Sequence, residues 1–205
     1  VSTLIGGVAL VILASIIFGP SFVPSKVQVI LTNLITPSAS RLLQTVAENK
    51  QPYFSEWAGN FGPYWFSIPV TFWLFFIGSI YLFYRILKSL HKKDRIMITV
   101  SYVVFLVSLV FSRYNPNSLL NGTNFISKAV YAFGFIFFAG CLGYYVYKYN
   151  KNNEQERLKE IDFAFILFFA FFLISVIAAR AALRTIMVLD PSAAILISYL
   201  LLVAV

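Results

Sequence analysis

Residues 163–181 read FAFILFFAFFLISVIAARA, with no charged side chain before Arg180. A helix of this length rises ~28 Å, close to the ~30 Å of hydrocarbon in a bilayer. In lipid no water is present to satisfy backbone groups, so such a run must be helical. Outward from it, further apolar runs of comparable length recur, giving spans at roughly 2–19, 64–87, 96–112, 127–147, 163–181 and 186–205. The expected fold class is therefore all-α, a polytopic helical membrane protein of about six spans, with residues 1–205 forming one transmembrane unit.

Composition agrees. Hydrophobic residues make up 60% of the chain and charged residues 12%, roughly half the charge of a soluble domain. The net charge of +8 does not point to nucleic acid. The basic residues sit at span ends, where they set topology and snorkel to the interface. The single Cys141 lies in an apolar span, which leaves no internal disulfide and no thiolate metal site. The chain starts inside one apolar run at Val1 and stops inside another at Val205, so it is expected to be an internal piece of a longer protein.

Arg85, Lys88, Lys92, Lys93 and Arg95 crowd the link 88–95, and Lys148, Lys151, Arg157 and Lys159 crowd the link 148–161. By the positive-inside rule both links are expected in the cytoplasm. Segments 20–63 and 113–126 and the junction near Arg180 are then external. The stretch Tyr149 to Glu160 reads as a solvated mixed-charge hairpin, and His91 as a solvated side chain among basic residues.

Segment 20–63 is far longer than a usual connection, which itself suggests a functional loop. Apolar residues recur at helical spacing from Val27 to Leu43, consistent with an interfacial helix. Trp57, Tyr64, Trp65 and Phe66 mark re-entry at an aromatic belt. Within the loop lies Thr45-Val46-Ala47-Glu48, followed by Gln51-Pro52. Two readings of Glu48 stand. It is a solvated acid or helix cap, with Thr45 completing a capping box, or it is a carboxylate held at the membrane surface to accept an amide N–H or bind a metal.

Arg180 and Arg184 are spaced to share one helix face within apolar sequence. Charge there is expensive and usually faces a cavity or partner. A bound anion between them would turn their repulsion into attraction, and a guanidinium suits phosphate geometry. The alternative is that both snorkel outward or that one pairs with Asp190, which precedes Pro191 and reads as a helix boundary. Asn121-Gly122-Thr123 fits a glycosylation acceptor pattern but reads as a turn.

Taken together, these residues resemble the catalytic subunit of the oligosaccharyltransferases, most closely the archaeal single-subunit enzymes. Thr45-Val46-Ala47-Glu48 with Gln51-Pro52 is similar to the TIxE or SVSE motif and its QP in the family's fifth external loop. Arg184-Thr185-Ile186-Met187-Val188-Leu189-Asp190-Pro191 resembles the late span where an Arg stands seven residues before a Pro, and Ala179-Arg180 resembles the preceding AR. The resemblance implies the C-terminal half of a GT-C-type glycosyltransferase membrane domain in an archaeal cell membrane, with its active face external.

It further implies transfer of a glycan from a lipid-linked oligosaccharide, on a polyprenyl phosphate or diphosphate, to Asn in an acceptor polypeptide bearing N-x-S/T. Glu48 would be catalytic, Thr45 and Glu48 would bind the acceptor, and Arg184 with Arg180 would bind the donor phosphate. A divalent cation, Mn or Mg, would assist, with Glu48 at its border and its main ligands outside this chain. The chain departs from the family in spacing, because two further spans at about 100–150 stand between the loop and Arg184. They read as an insertion, and Arg113 competes with Arg184 on spacing alone. Without the metal ligands and the family's soluble domain, the chain alone is expected to be inactive.

Two other classes compete. A transporter or flippase would use the arginines as an external anion site, but should carry polar groups at the bilayer midplane and paired repeats. A noncatalytic membrane scaffold would be indifferent to Glu48.

Overall fold

A computed structural model describes residues 2–35 and 50–203. Among these, α1 (Ser2–Phe18) and α2 (Phe22–Ile35) form the first pair. The segments Leu10–Phe18 and Phe22–Ile30 meet at 110°. The break is at Gly19, whose φ of +92° suits a residue without Cβ, and Pro20 follows it. The run expected as the span 2–19 is thus one arm of a bent pair.

Then come α3 (Phe54–Asn60), a two-residue hairpin of β1 (Tyr64–Trp65) and β2 (Ile68–Pro69), and α4 (Val70–Ile86). They are followed by α5 (Lys92–Phe111), α6 (Phe125–Lys151), the short α7 (Gln155–Lys159), α8 (Phe163–Ala181) and α9 (Ile186–Val203). Among the described residues five helices are long and apolar enough to cross a membrane, or up to six if the bent pair is one span. The architecture is nearly all-α and compatible with an integral membrane protein.

The first six residues of the run expected as span 64–87 lie outside the helix. Phe66 and Ser67, at φ +48° and +65°, close the hairpin in the left-handed region, and Pro69 starts α4. Trp57 is not at an interface belt: it is 1% exposed, within the core. Trp65 and Phe66 do face outward.

Helices α5 and α6 lie side by side, and α9 packs on both α4 and α8. Their seam is aromatic: Phe83 stacks on Tyr102 with ring centroids 4.3 Å apart, and Phe105 on Phe138 at 5.3 Å. Buried serines return their hydroxyls to their own helix, as Ser79 does to the Phe76 carbonyl at 2.8 Å. Cys141 is a free thiol packed against this core.

Close approach needs small residues, because between lipid-facing helices packing is the main attraction. At Gly134 a Cβ would run into the Ser108 side chain on α5. At Gly78 it would sit 2.6 Å from the Leu196 carbonyl oxygen on α9, a backbone atom that cannot swing away. Gly78→Leu is therefore expected to lower the thermal unfolding midpoint of the detergent-solubilised protein, by overpacking worth about 1–3 kcal/mol or more. Gly143→Leu, where nothing lies within 4 Å, should leave it unchanged. Equal midpoints for both variants would show that α4 and α9 do not meet this way.

The links 88–95 and 148–161 meet at one end of the bundle and are not simply solvated. Asp94, 6% exposed, accepts from Lys148 Nζ at 2.9 and 2.8 Å and from the Tyr149 hydroxyl at 3.0 Å. His91 pairs with Glu154 at 2.8 Å, and Arg157 donates to the Ser89 carbonyl at 3.1 Å. Charges held this way fasten α5, α6 and α7 together, whereas a mixed-charge sequence by itself looks like free loop.

Candidate functional site

Among the described residues, Gln51, Arg113, Arg180 and Arg184 lie towards the other end of the bundle. Thr45, Val46, Ala47 and Glu48 lie outside the described residues, as does the stretch 36–43 that was expected to continue a helix. The description resumes at Lys50. Gln51 and Pro52 are buried, and Gln51 Oε1 accepts from Arg113 Nη1 at 2.7 Å. The Arg113 guanidinium sits 4.3 Å from the Tyr53 ring centroid, and its carbonyl accepts from the Phe54 amide at 3.1 Å. Burial pushes this guanidinium below its ordinary value while nearby Tyr53 and Glu56 pull it back, so it stays charged.

Glu56 caps α3. Its carboxylate accepts from the Tyr53 amide at 2.8 Å and pairs with Lys50. That role was legible: Glu56 stands three residues after Tyr53, at the third position of a short helix.

Residues 113–124 fold back on themselves. The Tyr114 amide donates to the Leu120 carbonyl at 2.7 Å, and Arg113 bridges Asn121. The Asn121 side-chain oxygen accepts from the Thr123 amide at 2.9 Å, the Thr123 hydroxyl at 3.0 Å and the Asn124 amide at 3.0 Å. The Asn-Gly-Thr triplet is thus an Asx turn. Gly122, at φ +82°, lies against the Arg113 side chain.

Arg180 and Arg184 do not share a helix face. Helix α8 ends at Ala181, Ala182 is extended (φ −151°, ψ 141°), and Leu183–Thr185 form one 3₁₀ turn before α9. One cause is local and one distant: the Thr185 hydroxyl donates to the Ala178 and Ala182 carbonyls at 2.5 and 2.6 Å, and the Leu183 amide leaves the helix to donate to the Lys50 carbonyl at 2.9 Å. Pro191 does not mark a boundary but lies inside α9.

The two arginines differ in setting. Arg184 is exposed, with no hydrogen bond or ion pair to a described residue. Arg180 is 3% exposed; its Nη2 donates to the Ser112 hydroxyl at 3.1 Å and its guanidinium lies 4.0 Å from the Tyr131 ring centroid. Its Nε and Nη1 have no partner among the described residues. Arg113, next to Ser112 in the chain, is within electrostatic reach of it. Neither Arg180 nor Arg184 pairs with Asp190, which accepts from Asn60 Nδ2 at 3.0 Å.

Among the described residues no three His, Cys, Asp or Glu side chains come together. No family model matches the chain, and no curated protein or solved structure does either.

Proposed function

We propose that this chain is part of a membrane glycosyltransferase of the oligosaccharyltransferase type, which moves a glycan from a polyprenyl phosphate or diphosphate to the Asn amide of N-x-S/T. One observation carries the reading beyond the sequence resemblance. The Leu183 amide, beside Arg184, donates to the carbonyl of Lys50, two residues after Glu48. Lys50, which follows Glu48 by two positions in sequence, and the turn that carries Arg184 are therefore held together, although 134 positions (184 − 50) separate Lys50 and Arg184.

In this reading Glu48 accepts a hydrogen bond from the acceptor amide N–H, and Thr45 and the loop hold the peptide in line, since positioning supplies much of such a rate. Exposed Arg184 meets the donor phosphate and stabilises charge as the sugar departs. Arg180, buried beneath, adds its positive field. A divalent cation held by residues beyond those described would act in the same sense. The gathering of these cations at one end, rather than midway along the spans, favours a surface reaction over transport.

The test is transfer by the purified full-length protein, given a lipid-linked oligosaccharide, Mn or Mg, and a peptide containing N-x-S/T. Glycopeptide is expected, with none when the peptide Asn is replaced by Gln. No product under these conditions would overturn the assignment.

A further inference from the structure

At the end of the bundle where the links 88–95 and 148–161 meet, α4, α8 and α9 border a cleft of about 620 Å³. Arg85 and Lys88 enter its lining from the end of α4, and Glu160 and Asp162 from the link before α8. Leu82, Ile86 and Phe165 supply apolar lining. The two contributing segments are fixed to one another. Ser89 Oγ donates to the Arg157 carbonyl at 2.8 Å, and Arg157 Nη1 donates to the Ser89 carbonyl at 3.1 Å. Asp162 is held as the cap of α8, accepting from the Ala164 amide at 2.8 Å.

The four charged side chains do not neutralise one another. No ion pair joins either cation to either acid, and the side chains of Arg85, Lys88 and Glu160 make no hydrogen bond or ion pair to a described residue. Two positive and two negative groups leave the lining with no net charge. A simple anion would be repelled by Glu160 and Asp162, and a simple cation by Arg85 and Lys88. An occupant with both signs on separate atoms satisfies both sets, and near the low-dielectric bilayer each such contact is stronger than in bulk water. Depth selects the rest of the occupant. Leu82 and Ile86 lie in the last turns of α4 and Phe165 in the first turn of α8, inside the apolar spans. Lys88 lies in the 3₁₀ turn Leu87–Ser89 after α4, and Glu160 and Asp162 precede α8. The lining thus passes from apolar to charged across the end of the spans, as a phospholipid does from acyl chain to headgroup.

We propose that this cleft seats the headgroup of a membrane phospholipid bearing a primary ammonium, with its phosphate at Arg85 and Lys88 and its ammonium at Glu160 and Asp162. Guanidinium matches the geometry of phosphate oxygens. A primary ammonium offers three N–H donors to the carboxylates, whereas a quaternary ammonium offers none. The inference is independent of the glycosyl-transfer reading, and its readout is lipid binding rather than activity.

The experiment follows the thermal unfolding midpoint of the full-length protein in detergent, with added phosphatidylethanolamine, phosphatidylcholine, phosphatidylglycerol or soluble phosphoethanolamine. Native mass spectrometry of the same samples counts retained lipid. A ligand that binds only the folded state raises the midpoint. Phosphatidylethanolamine is expected to raise it and to be retained about tenfold over either other lipid, the factor set by one charge-assisted contact. Phosphoethanolamine is expected to leave it unchanged. Glu160→Gln with Asp162→Asn removes both acids but keeps a capping side chain on α8. The lining then becomes cationic, and preference should pass to phosphatidylglycerol. Arg85→Gln with Lys88→Gln should lose retention of both lipids, while Lys92, Lys93 and Arg95 still hold the topology of that link. If one double variant fails to fold, the other decides.

Equal retention of phosphatidylcholine would overturn recognition of the ammonium. Equal or greater retention of phosphatidylglycerol by the parent protein would overturn the role of the two acids. The same increment from phosphoethanolamine would overturn a lipid as the occupant. An unchanged order of preference in the acid variant, or undiminished retention in the Arg85→Gln, Lys88→Gln variant, would overturn the cleft as the seat.

Discussion

Glu48→Gln, made in the intact protein, is expected to cut glycosyl transfer at least ~tenfold, a barrier increase of about 1.4 kcal/mol, with expression unchanged. The acceptor amide is a poor nucleophile because its lone pair is delocalised into the carbonyl. A carboxylate that accepts its N–H bonds draws the nitrogen out of that conjugation. Gln keeps the shape but replaces one acceptor oxygen with a donor NH₂, so the contact is lost or reversed. Steady-state transfer to a saturating N-x-S/T peptide reads the effect. Activity within about twofold of the parent, well under 1 kcal/mol, would remove Glu48 from the chemistry and leave it the solvated acid of the alternative reading.

Arg184→Ala is expected to raise the apparent KM for the lipid-linked donor by about tenfold or more, the scale of a lost charge-assisted contact at ~1.5–3 kcal/mol, with acceptor KM nearly unchanged. Its exposure makes this a clean test, since no hydrogen bond or ion pair to a described residue is broken with it. Arg184→Lys should restore only part, because an ammonium keeps the charge but not the planar fork. Donor dependence equal to that of the parent would refute the assignment and turn attention to Arg113, which the sequence spacing also allowed.

The helices were legible because lipid imposes a simple rule on sequence: long apolar runs must be helical, and their lengths are fixed by the bilayer. The ends were less legible. Residues 64–69 look like the start of a span by hydropathy, but two left-handed residues at Phe66 and Ser67 close a hairpin there, and hydropathy cannot register φ. Arg180 and Arg184 suggest a shared face by spacing, yet a threonine hydroxyl and the carbonyl of Lys50, 133 positions (183 − 50) before Leu183 in sequence, end the helix between them. The pairing of Arg113 with Gln51 and of Asp94 with Lys148 joins residues 62 and 54 positions apart. No local pattern announces either. Two segments that the sequence singles out, the run from Lys50 and the junction after Arg180, do lie at one end of the bundle.

The bond from the Leu183 amide to the Lys50 carbonyl joins two segments by their backbones, so only proline at 183, which lacks the N–H, removes it by substitution. A movement of residue 50 either breaks that bond or carries with it the 3₁₀ turn on which Arg184 rides. Whatever occupies one segment and shifts it thus alters the other, and the coupling must run equally in both directions.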